Sequence, residues 1–147
     1  MATRIARTAW NGGLQHGQGQ VELSSSKVGT YDVSFPRRAA DDAGGVTSPE
    51  ELIAAAHSSC FAMQLSGVLA ESGATPVSLE VTVEAAFGPD PAGGFRIPSI
   101  AVTVRGEVEG IDAAGFQKAA ETAKATCPVS KALAGVESIT LVATLES

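Results

Sequence analysis

The chain has 147 residues, of which 44% are apolar and 5% aromatic, with a formal net charge of −6. That length suits one domain spanning residues 1–147, with a single core built mainly from Val, Leu, Ile and Ala. The acidic balance repels phosphate backbones and argues against nucleic acid as a partner, and Arg37-Arg38 is too short a basic run to reverse it.

The first third reads as antiparallel β structure. A strand is expected from Ile5 to Trp10, with Asn11-Gly12-Gly13 as a hairpin turn. Val21 to Leu23 alternates, as does Thr30 to Phe35, which Pro36 ends. Arg37 to Gly45 is polar and loop-like. A long helix then starts at Ser48-Pro49-Glu50-Glu51. Ser48 suits the N-cap, Pro49 the first helical position, and Glu51 the third position of a capping box. Ile53, Ala56, Cys60, Met63 and Gly67 fall on one stripe, and the helix is expected to reach Glu71.

Leu79 to Glu84 and Ile100 to Arg105 alternate with period two, joined through the Gly/Pro-rich stretch Gly88 to Gly94. Asp112 can cap a second helix with the stripe Phe116, Ala120, Ala123, Cys127. Pro128 stops that helix, and Ser130 can cap a short turn running to Leu133. Ile139 to Leu145 is the last strand. Long helices between groups of antiparallel strands give an α+β pattern. The N-terminus lacks the apolar stretch of a signal peptide, and no apolar run reaches the roughly 20 residues that span a bilayer. A soluble, cytoplasmic protein with no membrane partner is therefore expected.

Cys60 and Cys127 are the only cysteines, one on each long helical stretch. Small core residues would satisfy the same pattern, because free cysteine is often buried. A reactive thiolate instead needs a cation nearby. Arg37, Arg38 and His57 are the candidates, with Glu50 available to hold an arginine bidentately. Glu50 alone would equally serve the helix dipole. Ten residues separate Glu50 from Cys60, about 15 Å of straight helix, so the two cannot meet along it. His57 lies one helical turn before Cys60 and is read as a packing or interface residue, or as a partner of the thiol. His16, His57, Cys60 and Cys127 lack the short spacing of a structural zinc site, so no metal is expected.

Thr47 to Met63, with Pro49-Glu50-Glu51-Leu52 and Ala56-His57-Ser58-Ser59-Cys60, together with Cys127 to Leu133, closely resembles the OsmC group of the OsmC/Ohr thiol peroxidases. Ala9 to Gly12, Leu14 and the Gly17-Gln18-Gly19 stretch extend the likeness. The resemblance implies an intertwined α+β homodimer with antiparallel sheets, two long central helices and active sites at the subunit interface. It implies reduction of hydroperoxides, organic ones preferred, with no cofactor. By position Cys60 is the peroxidatic nucleophile, Cys127 the resolving thiol that closes a Cys60–Cys127 disulfide, and Glu50 the residue that orients the active-site arginine. Counting from Phe35 selects Arg38 over Arg37. The implied reductant is an external thiol or dithiol, as with the lipoyl proteins that serve Ohr-type relatives. Two other readings share the fold: a redox sensor, and a non-catalytic stress-response binding dimer.

Overall fold

In the computed structural model, which describes residues 1–146, the chain divides into two units, Met1–Leu52 and a second that begins at Ile53. The first unit is an antiparallel sheet of β1 (Arg7–Asn11), β2 (Gln18–Glu22) and β3 (Thr30–Val33) in that order. Trp10 sits opposite Gly19, and a Cβ at Gly19 would come within 3.0 Å of the indole ring. That glycine therefore leaves room for the ring beside its own hairpin.

The chain next makes a short helix, α1 (Phe35–Arg38), where the sequence suggested strand and then loop. Pro36 explains both: its fixed φ ends pairing yet suits a first helical turn. α2 (Pro49–Glu71) follows and ends where the sequence places its end. Glu51 N–H donates to the Ser48 hydroxyl at 3.1 Å, which is one arm of the expected capping box. The other arm differs, since the Glu51 carboxylate accepts from the Thr47 hydroxyl.

In the second unit β4 (Thr75–Ala85), β7 (Ser99–Glu109) and β8 (Ser138–Glu146) form a sheet with β7 in the middle. A small pair, β5 (Gly88–Pro89) and β6 (Phe95–Arg96), closes the β4–β7 connection. β4 and β7 are antiparallel, whereas β7 and β8 are parallel. The parallel pair follows from the intervening helices α3 (Ala113–Thr126) and α4 (Pro128–Ala132), since a helical crossover returns the chain in its original direction. Asp112 caps α3 as expected, its carboxylate accepting from Gly115 N–H at 2.7 Å.

The core joins Phe61, Leu65 and Leu69 of α2 to alternate residues of β7 and to Phe116, Ala120 and Ala123 of α3. The α3 stripe is the one read from the sequence. The buried α2 stripe is instead His57, Phe61, Leu65, Leu69, while Met63 is 69% exposed and Gly67 is exposed. α2 is rich in small and apolar residues on every side, so its periodicity alone does not single out the inward face. By length and composition α2 is also apolar enough to cross a membrane, with a mean hydropathy of 1.4 over 18 residues. That corrects the expectation that no apolar run has spanning length; here the helix contributes Phe61, Leu65 and Leu69 to the core.

Candidate active site

The break between α3 and α4 positions the second sulfur. Cys127 is at once the C-cap of α3 and the N-cap of α4, with φ −58° and ψ 122°. Pro128 disfavours helical geometry at the residue before it, so the chain turns out of helix at the cysteine. The short helix thus starts at Pro128, and the expected cap at Ser130 is corrected: Ser130 lies inside α4. Cys127 Sγ and Cys60 Sγ are 3.3 Å apart, both as free thiols. Closing a disulfide from there requires a shift of little more than about 1 Å. Gln64 of α2 donates to the Thr126 hydroxyl at 3.0 Å and ties the two helices beside the sulfurs.

The two thiols differ in access and in charge. Cys60 is half-buried, whereas Cys127 is fully buried. Burial pushes the Cys60 thiol up, against the Val129 N–H, and the hydrogen bond and charge of Cys127 raise it further. Burial acts upward on Cys127 too, but bonds from the Ser130 N–H and hydroxyl, the Cys60 thiol and the Val129 N–H outweigh it. Its thiol is held below the ordinary cysteine value. Within this unit Cys127 is therefore the more acidic sulfur of the pair.

His57 faces Ser130, with Nε2 2.7 Å from its Oγ, and both residues are buried. Burial lowers the imidazole pKa, so the ring is neutral. Sequence reasoning considered Cys60 as a partner of His57 and gave Ser130 only a capping role. The usable signal was Cys127-Pro128-Val129-Ser130, where the serine follows the cysteine by one helical turn.

Arg38 and Glu50 belong to the first unit. Arg38 Nη2 lies 2.7 Å from Glu50 Oε1, and Nε lies 3.2 and 3.1 Å from the two carboxylate oxygens. Arg37 points elsewhere, its guanidinium so close over Gly44 that a Cβ there would meet Nη1 at 2.6 Å. A cavity of about 450 Å³ in the first unit is lined by Trp10, Val21, Phe35, Pro49 and Leu52, with Arg38 on its wall. An apolar chamber with one guanidinium can accept a greasy molecule carrying a single polar end.

Residues 41–142 match the family described as OsmC-like protein. Peroxiredoxin OsmC of Escherichia coli (strain K12) is 40% identical over 124 residues, covering 84% of this chain and 85% of its own. Organic hydroperoxide resistance protein OhrA of Bacillus subtilis (strain 168) is 32% identical, over 81% of this chain and 83% of its own. The crystal structure of OhrB of Bacillus subtilis superposes with a TM-score of 0.69 at 26% identity, covering 97% and 98% of the two chains.

Proposed function

The chain belongs to the OsmC-like family and has its α+β fold, and we propose that it is a thiol-dependent hydroperoxide reductase, with organic hydroperoxides preferred. The observation that carries this reading is half-buried Cys60, whose sulfur lies 3.3 Å from that of fully buried Cys127. Cys60 is the more exposed of the two, so it is assigned the attack and Cys127 the resolution.

The Cys60 thiolate forms an S–O bond with one peroxide oxygen as the O–O bond breaks. Its sulfur is oxidised by two electrons, and the other oxygen leaves as alkoxide and takes a proton to become alcohol. The Cys127 thiolate then forms the S–S bond, and hydroxide departs and is protonated to water. An external thiol or dithiol, a lipoyl group being one such, returns the pair to thiols. Arg38 held by Glu50 is assigned the support of the Cys60 thiolate and of the peroxide; a fixed guanidinium stays charged and offers several donors. The apolar cavity beside Arg38 supports a preference for alkyl or acyl-chain hydroperoxides. The proposal includes a single OsmC-like domain, a homodimer and a cytoplasmic setting.

The test is intact mass after one equivalent of an organic hydroperoxide, followed by turnover with excess dithiol. Loss of two hydrogens and repeated turnover are expected. A single stoichiometric oxidation without turnover would instead identify a sensor, and full turnover by Cys60→Ser would remove the reading.

A further inference from the structure

His57 and Ser130 are buried polar groups to which the reaction above assigns no task. A serine hydroxyl has one proton to give and lone pairs to receive. The Ser130 oxygen is 2.7 Å from His57 Nε2, and the serine follows Cys127 by one helical turn, where its hydroxyl favours the ionised sulfur. His57 Nδ1 is buried and has no hydrogen-bond partner among the described residues. If the serine proton pointed to Nε2, Nδ1 would carry an N–H with no acceptor, and the sulfur would lose a donor. Buried donors without acceptors are costly. With the proton on sulfur, Nε2–H donates to the serine oxygen and only a lone pair at Nδ1 is left over. The network therefore selects the Nε2–H tautomer and a fixed direction of donation, from His57 through Ser130 to Cys127.

We infer that His57 is a positioning residue for the resolving thiol: it holds the Ser130 hydroxyl on the Cys127 sulfur, which steadies the thiolate that attacks oxidised Cys60 and that departs when the disulfide is reduced. The inference rests on the proposed peroxidase cycle and deepens it. In resolution the Cys127 electron pair makes the S–S bond, the S–O bond of Cys60 breaks, and hydroxide leaves and takes up a proton. In reduction an external thiolate attacks Cys60, and Cys127 recovers the electron pair. A hydroxyl on that sulfur raises the thiolate fraction in the first step and eases departure in the second. The loss of intrinsic nucleophilicity offsets only about half of the gain. Reaction of Cys60 with peroxide uses neither group.

The experiment is rapid mixing of the full chain with cumene hydroperoxide, quenching with an alkylating reagent, and intact mass to separate Cys60 oxidation from disulfide closure. His57→Leu and Ser130→Ala should each slow closure by about tenfold near neutral pH, the effect of removing one hydrogen bond to a charged group. The double variant should slow it no further, because the two residues act in series. His57→Gln, which returns an N–H donor, should recover most of the rate. The pH midpoint of closure should rise in the slow variants, while Cys60 oxidation stays within about twofold. Ser130→Ala, the smaller change, gives the same readout if His57→Leu does not fold. Closure unchanged in Ser130→Ala, or both steps slowed equally in every variant, overturns the inference and leaves the peroxidase reading standing. A wild type whose Cys60 is not oxidised removes both.

Discussion

Arg38 and Glu50 form a fork against a carboxylate, with three N···O distances between 2.7 and 3.2 Å, and the acid is the better hidden partner. Glu50 is 6% exposed, while the Arg38 side chain is about one-third exposed. Removing one member of such a pair is costly chiefly when the charge left behind is cut off from water. Arg38→Ala should therefore destabilise by about 2–3 kcal/mol and Glu50→Ala by about 1 kcal/mol, read from urea midpoints. Both should lower peroxide turnover by about tenfold or more, the scale of one charge-assisted hydrogen bond at the reacting centre. Equal destabilisation by the two changes would contradict the asymmetry in burial.

Cys127→Ser should divide the cycle after its first step. Treated with one equivalent of organic hydroperoxide, that variant should gain one oxygen and stall, and excess peroxide should carry Cys60 further up the oxidation ladder. Mass spectrometry reads both events. A Cys127→Ser protein that still turned over with dithiol at the wild-type rate would remove the resolving role.

The neutral, buried His57 predicts a loss of stability in mild acid. Its pKa is lowered in the folded protein, so below the ordinary value of 6.5 the unfolded chain binds a proton that the native state resists. Stability from this group is present above that pH and lost as the pH falls. Between about pH 7.5 and about 5.5, the urea midpoint of the wild type should drop more than that of His57→Gln. Parallel drops would show that His57 titrates normally.

The preference for organic peroxides is assigned to the chamber beside Arg38. Trp10→Ala should raise KM for long-chain hydroperoxides by about tenfold, the value of one apolar wall of the chamber, and leave hydrogen peroxide nearly unaffected. A matched rise for both peroxides would place the discrimination elsewhere.

Gly106 on β7 is a packing glycine. A Cβ there would lie 2.7 Å from the Phe116 ring and 2.9 Å from Leu79 Cδ2, and Phe116 is fully buried. Gly106→Ala should cost about 1–3 kcal/mol by overpacking. Gly88→Ala, where nothing lies within 4 Å, is the near-neutral control. Thermal unfolding of the two variants checks the difference.

Much of the fold was visible in the residues, because local rules decided it. The caps at Ser48 and Asp112 are formed by side chains that satisfy the first free N–H groups of a helix, and any short polar residue before an apolar run announces them. The α3 stripe was readable because Lys118 and Glu121 mark its wet side. α2 has no such contrast between Leu52 and Glu71, so its inward face is decided by what packs on it, through Phe61, Leu65 and Leu69. The parallel pairing of β8 with β7 is likewise a property of the route through α3 and α4, and strand alternation does not carry it. Arg38 and Glu50 could be paired by charge, but the use of Arg37 over Gly44 rests on the turn of α1. The hydrogen bond of Ser130 with a histidine 73 residues away has no local signature at all.

Pro128 has a consequence for how fast oxidation can proceed. Its ring keeps Cys127 out of helical geometry, so the corner that carries the sulfur is set by the backbone and not by a bond to Cys60. No backbone needs to melt for the two sulfurs to join. Closure asks for side-chain rotation across 3.3 Å and not for segmental unfolding, so its pace is left to the chemistry of the attacking thiolate.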